Sequence, residues 1–179
     1  INLFDASDPA ETGGGKITAS ELVRRAADRA GGVRAPAPTQ AGLLEVTARL
    51  YHSLGEYRSE TETLQRALEL RRRAGGGSSL ELASVYQQLG RALIAEGRFA
   101  AADSAVRRAL ALQETVLGPR DQVVASALLQ LAGVAVFLAD MSTAERAALR
   151  ALSISQSGAG PNDSVTAHAH LTLGSIQQR

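Results

Sequence analysis

Tyr86-Gln87-Gln88-Leu89-Gly90-Arg91-Ala92-Leu93-Ile94 is the stretch that decides the fold. Together with Leu82 and Val85, its apolar residues recur at helical and not alternating spacing, which predicts an amphipathic helix over residues 80–96. Gly97 breaks that helix. A second is expected from Phe99 to Leu117, with Ala102, Val106, Ala109 and Leu110 on one face. Gly118-Pro119 stops it, because proline cannot continue a helix and glycine tolerates the reversed backbone. Asp121 stands where the next helix needs a cap. The unit is a pair of helices.

The pair repeats. A shift of 42 residues brings Arg66-Ala67-Leu68, Arg108-Ala109-Leu110 and Arg150-Ala151-Leu152 into register. Tyr57, Phe99 and Met141 coincide at that shift, as do Leu89, Leu131 and Leu173, and the small residues Gly90, Ala132 and Gly174. Gly118-Pro119 returns as Gly160-Pro161. Independent columns that agree on one period mark a stacked array. The same reading predicts helices near 40–53, 56–74, 121–138, 141–157 and 162–178, and no alternating stretch of useful length. The fold class is all-α. A lone hairpin cannot bury its apolar face, so each must lean on its neighbours. The column Ala67, Ala109 and Ala151 lets helices approach closely.

The spacing Tyr86-x2-Leu89-Gly90-x2-Leu93, then Ala102-x3-Val106 and Ala109, resembles the tetratricopeptide (TPR) signature. The unit is 42 residues long instead of 34, the extra residues lying at Gly118-Pro119, similar to the long-loop repeats of kinesin light chains. The resemblance implies a right-handed α-solenoid of antiparallel hairpins over 39–179, with full units at 41–82, 83–124 and 125–166 and a partial fourth at 167–179. Thr47 and Glu60 occupy sites that are normally small or apolar, and Ala148 one that is normally larger, so looser packing is expected there.

Composition narrows the function classes. The chain has 179 residues, 45% of them hydrophobic and 21% charged, too apolar for a disordered protein. A formal charge of +1 lacks the basic excess of a nucleic-acid binder, and no nucleic-acid partner is expected. Without cysteine there is no disulfide, thiolate metal site or cysteine nucleophile. Val123 to Leu138 is free of charge but only about 16 residues long, short of the roughly 20 that span a bilayer. The start at Ile1-Asn2-Leu3 has no initiator Met and no secretory pattern, as expected of a piece of a longer or processed protein.

Residues 1–38 do not share the repeat. Thr18-Ala19-Ser20-Glu21 reads as a capping box opening a helix to about Ala30, and Pro36 and Pro38 mark a linker. The helix would cover one end of the array. Leu3-Phe4-Asp5-Ala6-Ser7-Asp8-Pro9 and Ile17-Thr18-Ala19-Ser20-Glu21-Leu22 resemble the stretch joining the membrane helix to the repeats in bacterial receptor-like serine/threonine kinases. That resemblance implies a membrane-anchored protein with the repeats on the extracytoplasmic side, a cytoplasmic placement being the alternative.

No catalytic, cofactor or metal site is expected. Gly13-Gly14-Gly15-Lys16-Ile17-Thr18 departs from a phosphate loop, with Ala10 where a glycine and Ile17 where a Ser/Thr is needed. His168 and His170, two apart, face nearly opposite sides of a helix, whereas a metal pair wants a spacing of four. By the repeat, His170 replaces Tyr86 and should be packed in, and His168 matches Ser84 at a groove edge. Arg71-Arg72-Arg73 is read first as cations complementing a helix C-terminus, and only second as a docking patch.

What remains is a surface for gripping a protein or peptide. In TPR arrays the first helix of each unit lines a concave groove. Transferred here, that groove takes Glu45, Arg49 and His52 from unit one, Gln87, Gln88 and Arg91 from unit two, Leu129, Gln130, Gly133 and Phe137 from unit three, and His168 and Leu171 from the fourth. An apolar anchor at Leu129 and Phe137 beside polar neighbours suits peptide or helix recognition. Two readings stay open at this point: these two side chains are exposed, or a neighbouring helix covers them. The expected function is a non-catalytic interaction module, the alternative being a structural subunit held permanently in a larger complex.

Overall fold

The computed structural model describes residues 18–32, 34–73, 75, 79–157 and 163–177. The Gly13–Lys16 run, the Leu3–Pro9 segment and Gly160-Pro161 lie outside the described residues. Among those described there are eight helices and no strand: α1 (Ala19–Gly32), α2 (Ala37–Ser53), α3 (Tyr57–Arg73), α4 (Ser79–Ala95), α5 (Phe99–Leu117), α6 (Gln122–Phe137), α7 (Met141–Ser157) and α8 (Asp163–Gln177). The all-α expectation holds, helix by helix. The largest displacement is at α2, which begins at Ala37 with Pro36 as its cap and Pro38 in its first turn, where the missing N–H has no intrahelical acceptor to lose. The prolines therefore start a helix instead of marking a linker.

Contacts divide the chain into two compact units, Ile1–Gly77 and Ser78–Arg179. In the first, α2 packs against both α1 and α3. Its core holds Ala30, Ala41, Leu44 and Ala67, and beside them Val23, Ala27 and Tyr51. Half of the predicted capping box is present: the Glu21 N–H donates to Thr18 Oγ1 at 3.2 Å, but the Glu21 carboxylate accepts from Arg24 and Arg25 instead of reaching back to the Thr18 N–H. Thr47 and Glu60 do not loosen the packing, since each is 2% exposed. The Thr47 hydroxyl donates to the Leu43 carbonyl at 2.9 Å, and Glu60 Oε2 lies 2.9 Å from His52 Nδ1. Polar groups can be buried when they meet a partner.

In the second unit, α4 to α8 pack sequentially, and α6 also touches α4 and α8. The core is built of small and branched residues, among them Val106, Val124, Ala125, Leu128, Ala132, Ala148 and Ala151. Ala148 is fully buried, so the smaller residue is closed in. Gly90 shows why one column stays small: a Cβ there would stand 2.6 Å from Val106 Cγ2 and 3.0 Å from Gln130 Nε2.

The turns inside the hairpins repeat atom for atom. After α2, the Gly55 N–H reaches the His52 carbonyl and the Glu56 N–H the Tyr51 carbonyl. Gly97 and Arg98 do the same after α4, and Ala139 and Asp140 after α6. This pair of bonds is the Schellman motif, which places one residue in the left-handed region. Gly55 (φ 73°) and Gly97 (φ 75°) occupy it freely, whereas the third turn forces Ala139 to φ 58°.

Candidate binding groove

Within Ser78–Arg179, a cavity of about 460 Å³ opens along α4, α6 and α8. The first helix contributes Gln87, Arg91 and Ile94, the second Ser126, Leu129, Gln130, Gly133 and Phe137, and the third Val165 and His168. Two lining amides, Gln87 and Gln130, build the wall, and the buried Gln113 bonds to the first of them. Gln130 Nε2 donates to the Gln87 carbonyl at 3.1 Å, Gln87 Nε2 to Ser126 Oγ at 3.3 Å, and Gln113 Nε2 to Gln87 Oε1 at 3.1 Å. Gln87 is thus held by α5 and α6 together. The floor is apolar, with Leu129 and Val165 buried. Phe137 is 60% exposed at one end. Its ring stacks on that of Phe99 at the start of α5. Arg91 is exposed and has no hydrogen-bond or ion-pair partner among the described residues. Among the described residues no carboxylate lines the cavity.

Gln87, Arg91, Leu129, Gln130, Gly133, Phe137 and His168, assigned to a groove through the tetratricopeptide resemblance, line one cavity. Leu129, transferred as an outward position, is buried and forms floor instead of rim. Gln88 does not line the cavity, because its amide donates back to Ser84 along α4. Leu171 is exposed on α8 but is not among the lining residues. Glu45, Arg49 and His52 belong to the other unit. There Glu45 is paired with Arg71 at 2.6 Å, His52 with Glu60, and Arg49 is exposed.

His170 corrects an expectation: it is exposed, not packed in. Tyr86, its equivalent, is held down by the following helix, where Arg108 Nη1 donates to its hydroxyl at 3.2 Å and lies over its ring. No described helix follows α8 to do the same. The Arg71–Arg73 run closes the last turn of α3, with Arg71 on Glu45 and Arg73 on Glu69, in keeping with its reading as helix-terminal cations. Sequence reasoning missed Ile94, Ser126 and Val165. For Ser126 the signal existed, since it stands 42 residues before His168.

The fold and the groove are those of a helical repeat protein. Residues 48–115 match the family model of the tetratricopeptide repeat. No curated protein matches the sequence significantly. Among solved structures, the chain is similar to BtubC (BKLC) from P. vanneervenii, at 23% identity and TM-score 0.77. The match covers 89% of this chain, which spans 64% of that protein's length. A candidate kinesin light chain of Podosopora anserina with nearly identical TPR-like repeats gives 15% identity and TM-score 0.71, over 95% of this chain and 84% of that one. MamA gives 18% identity and TM-score 0.60, over 95% and 91%. At these identities the likeness is one of fold. Among the described residues no helix is long and apolar enough to cross a membrane.

Proposed function

We propose that this chain is a non-catalytic module that holds a peptide or helix of another protein in the groove of α4, α6 and α8. The observation that carries the reading is the cavity itself, an apolar floor at Leu129 and Val165 rimmed by amides, Arg91 and the exposed Phe137 ring. Apolar anchor sites with convergent polar groups are what peptide-binding surfaces provide. The tetratricopeptide match and the TPR-like fold support the same class. The test is selection from a displayed peptide library, followed by titration of the winners. Winners should carry an apolar anchor, and Phe137→Ala should weaken them by about tenfold or more, as at a central contact. Winners that bind Phe137→Ala and Arg91→Ala as tightly as the parent would remove the groove from consideration.

We further propose that the module belongs to a membrane-anchored bacterial protein and lies outside the cytoplasm. Support comes from the resemblance of residues 3–9 and 17–22 to the kinase membrane-proximal stretch. The chain has no cysteine, so a single one at exposed Ser142 can report topology. In cells expressing the anchored protein with Ser142→Cys, a membrane-impermeant maleimide should label that cysteine without lysis. Labelling only after lysis places it in the cytoplasm.

A further inference from the structure

We infer that a second cavity, in the first unit between α1, α2 and α3, receives a basic side chain of a partner protein, its ammonium or guanidinium taken by the Tyr51 hydroxyl and the Asp28 and Glu56 carboxylates. This cavity measures about 350 Å³ and shares no residue with the groove.

Tyr51 is the first observation. The residue is 4% exposed, and among the described residues its hydroxyl has no hydrogen-bond partner. Buried polar groups almost always find one. Tyr51 lines the cavity. Burial first, then the Glu56 and Asp28 carboxylates, raise its ionisation above the ordinary phenol value, while Arg24 and Arg66 oppose this, and all four charged residues line the cavity. The phenol stays neutral and keeps its lone pairs for a donor.

Charge is the second, independent observation. Among the described residues, four carboxylates and two guanidiniums line the space. Glu21 is saturated by Arg24 and Arg25 at 2.8 Å, and Glu62 is paired with Arg58 at 3.2 Å. Asp28 has only a 3.6 Å pairing with Arg24, which already holds Glu21 through two nitrogens. Glu56 accepts just the Ser59 hydroxyl, at 3.3 Å. The guanidinium of Arg66 is turned to the end of α1, where a Cβ on Gly31 would collide with it. Two under-used carboxylates and a free phenol oxygen thus face one space, and a cationic donor satisfies all three.

The test is a titration of the whole chain, followed through the Tyr51 ring resonances. The probes are N-acetyl-Gly-Arg-Gly-amide and its Lys counterpart, with the Glu counterpart and spermidine as controls. The Arg or Lys peptide should shift those resonances saturably. Asp28→Asn and Glu56→Gln should each weaken binding about tenfold, the scale of one charge-assisted hydrogen bond. Neither position is buried, so helicity should be unchanged in both. A shift that never saturates, affinity in both variants as tight as in the unsubstituted chain, or binding of the Glu peptide overturns the proposal. Binding of spermidine alone overturns the assignment to a partner side chain.

Discussion

The ring of Phe137, at the end of α6, lies parallel to that of Phe99, at the start of α5, with centroids 4.4 Å apart and planes within 4°. The stack fixes an aromatic ring that is otherwise 60% exposed, so the groove presents it ready-placed. An aromatic pair of this kind contributes about 0.5–1.5 kcal/mol. Phe137→Ala should therefore cost little stability in a urea melt while weakening peptide capture. Phe99→Ala should weaken capture less, by letting the ring swing. Equal loss of stability and binding in both would show the stack to be scaffold only.

Leu129 should behave differently from Phe137, although the repeat places both along one face. At 6% exposure it belongs to the core of the second unit. Leu129→Ala is expected to destabilise by about 2–5 kcal/mol, and Leu129→Asp more, since it buries a charge without a partner. Far-ultraviolet circular dichroism during thermal unfolding measures this. An Asp variant that melts like the parent would return Leu129 to the rim.

Ala139→Gly should stabilise the chain. The left-handed region costs an L-residue roughly 1–2 kcal/mol, and glycine avoids most of that at some entropic expense. A gain of about 0.5–1 kcal/mol is expected in chemical denaturation. The mirror substitution, Gly97→Ala, should lose a similar amount, because Gly97 occupies the same turn at φ 75°.

Removing His52 strands Glu60. With its Oε2 2.9 Å from His52 Nδ1 and its side chain 3% exposed, Glu60 depends on that imidazole for its partner. His52→Ala should cost about 1–3 kcal/mol, as expected of a buried group left unsatisfied. Adding Glu60→Leu should recover a large part of that loss. If the double variant is no better than the single one, His52 acts through its edge-on contact with Tyr57 instead.

Acid should loosen the start of α1. Hydrogen bonds from Arg24 and Arg25 lower the Glu21 carboxyl from 4.5 to about 2. A depressed folded-state value means the stabilisation is complete above pH 4.5 and is lost as pH falls towards 2. Hydrogen exchange at the α1 amides should speed up across that window. In Glu21→Gln it should be faster throughout and lack this acid step.

Much of the fold was legible because a repeat states its rule several times. Helix identity and bounds followed from the period of 42, from Gly97, and from Gly118-Pro119, all local properties of the chain. The gathering of Gln87, Gln130 and Phe137 was legible through the tetratricopeptide resemblance, which puts equivalent positions of stacked first helices on one face. Burial was not. Whether Leu129 is floor or rim, or His170 packed or exposed, depends on which helix lies over it, and the repeat carries no information on its own ends.

The order of residues alone determined an all-helical array, because periodicity is written into the chain, while the choice of a groove-lining face rested on the tetratricopeptide resemblance. Only the tertiary structure decided which polar residues are satisfied. His52 on Glu60, Arg71 on Glu45 and the lone hydroxyl of Tyr51 depend on distances of a few ångströms between helices, and no spacing along a sequence encodes those.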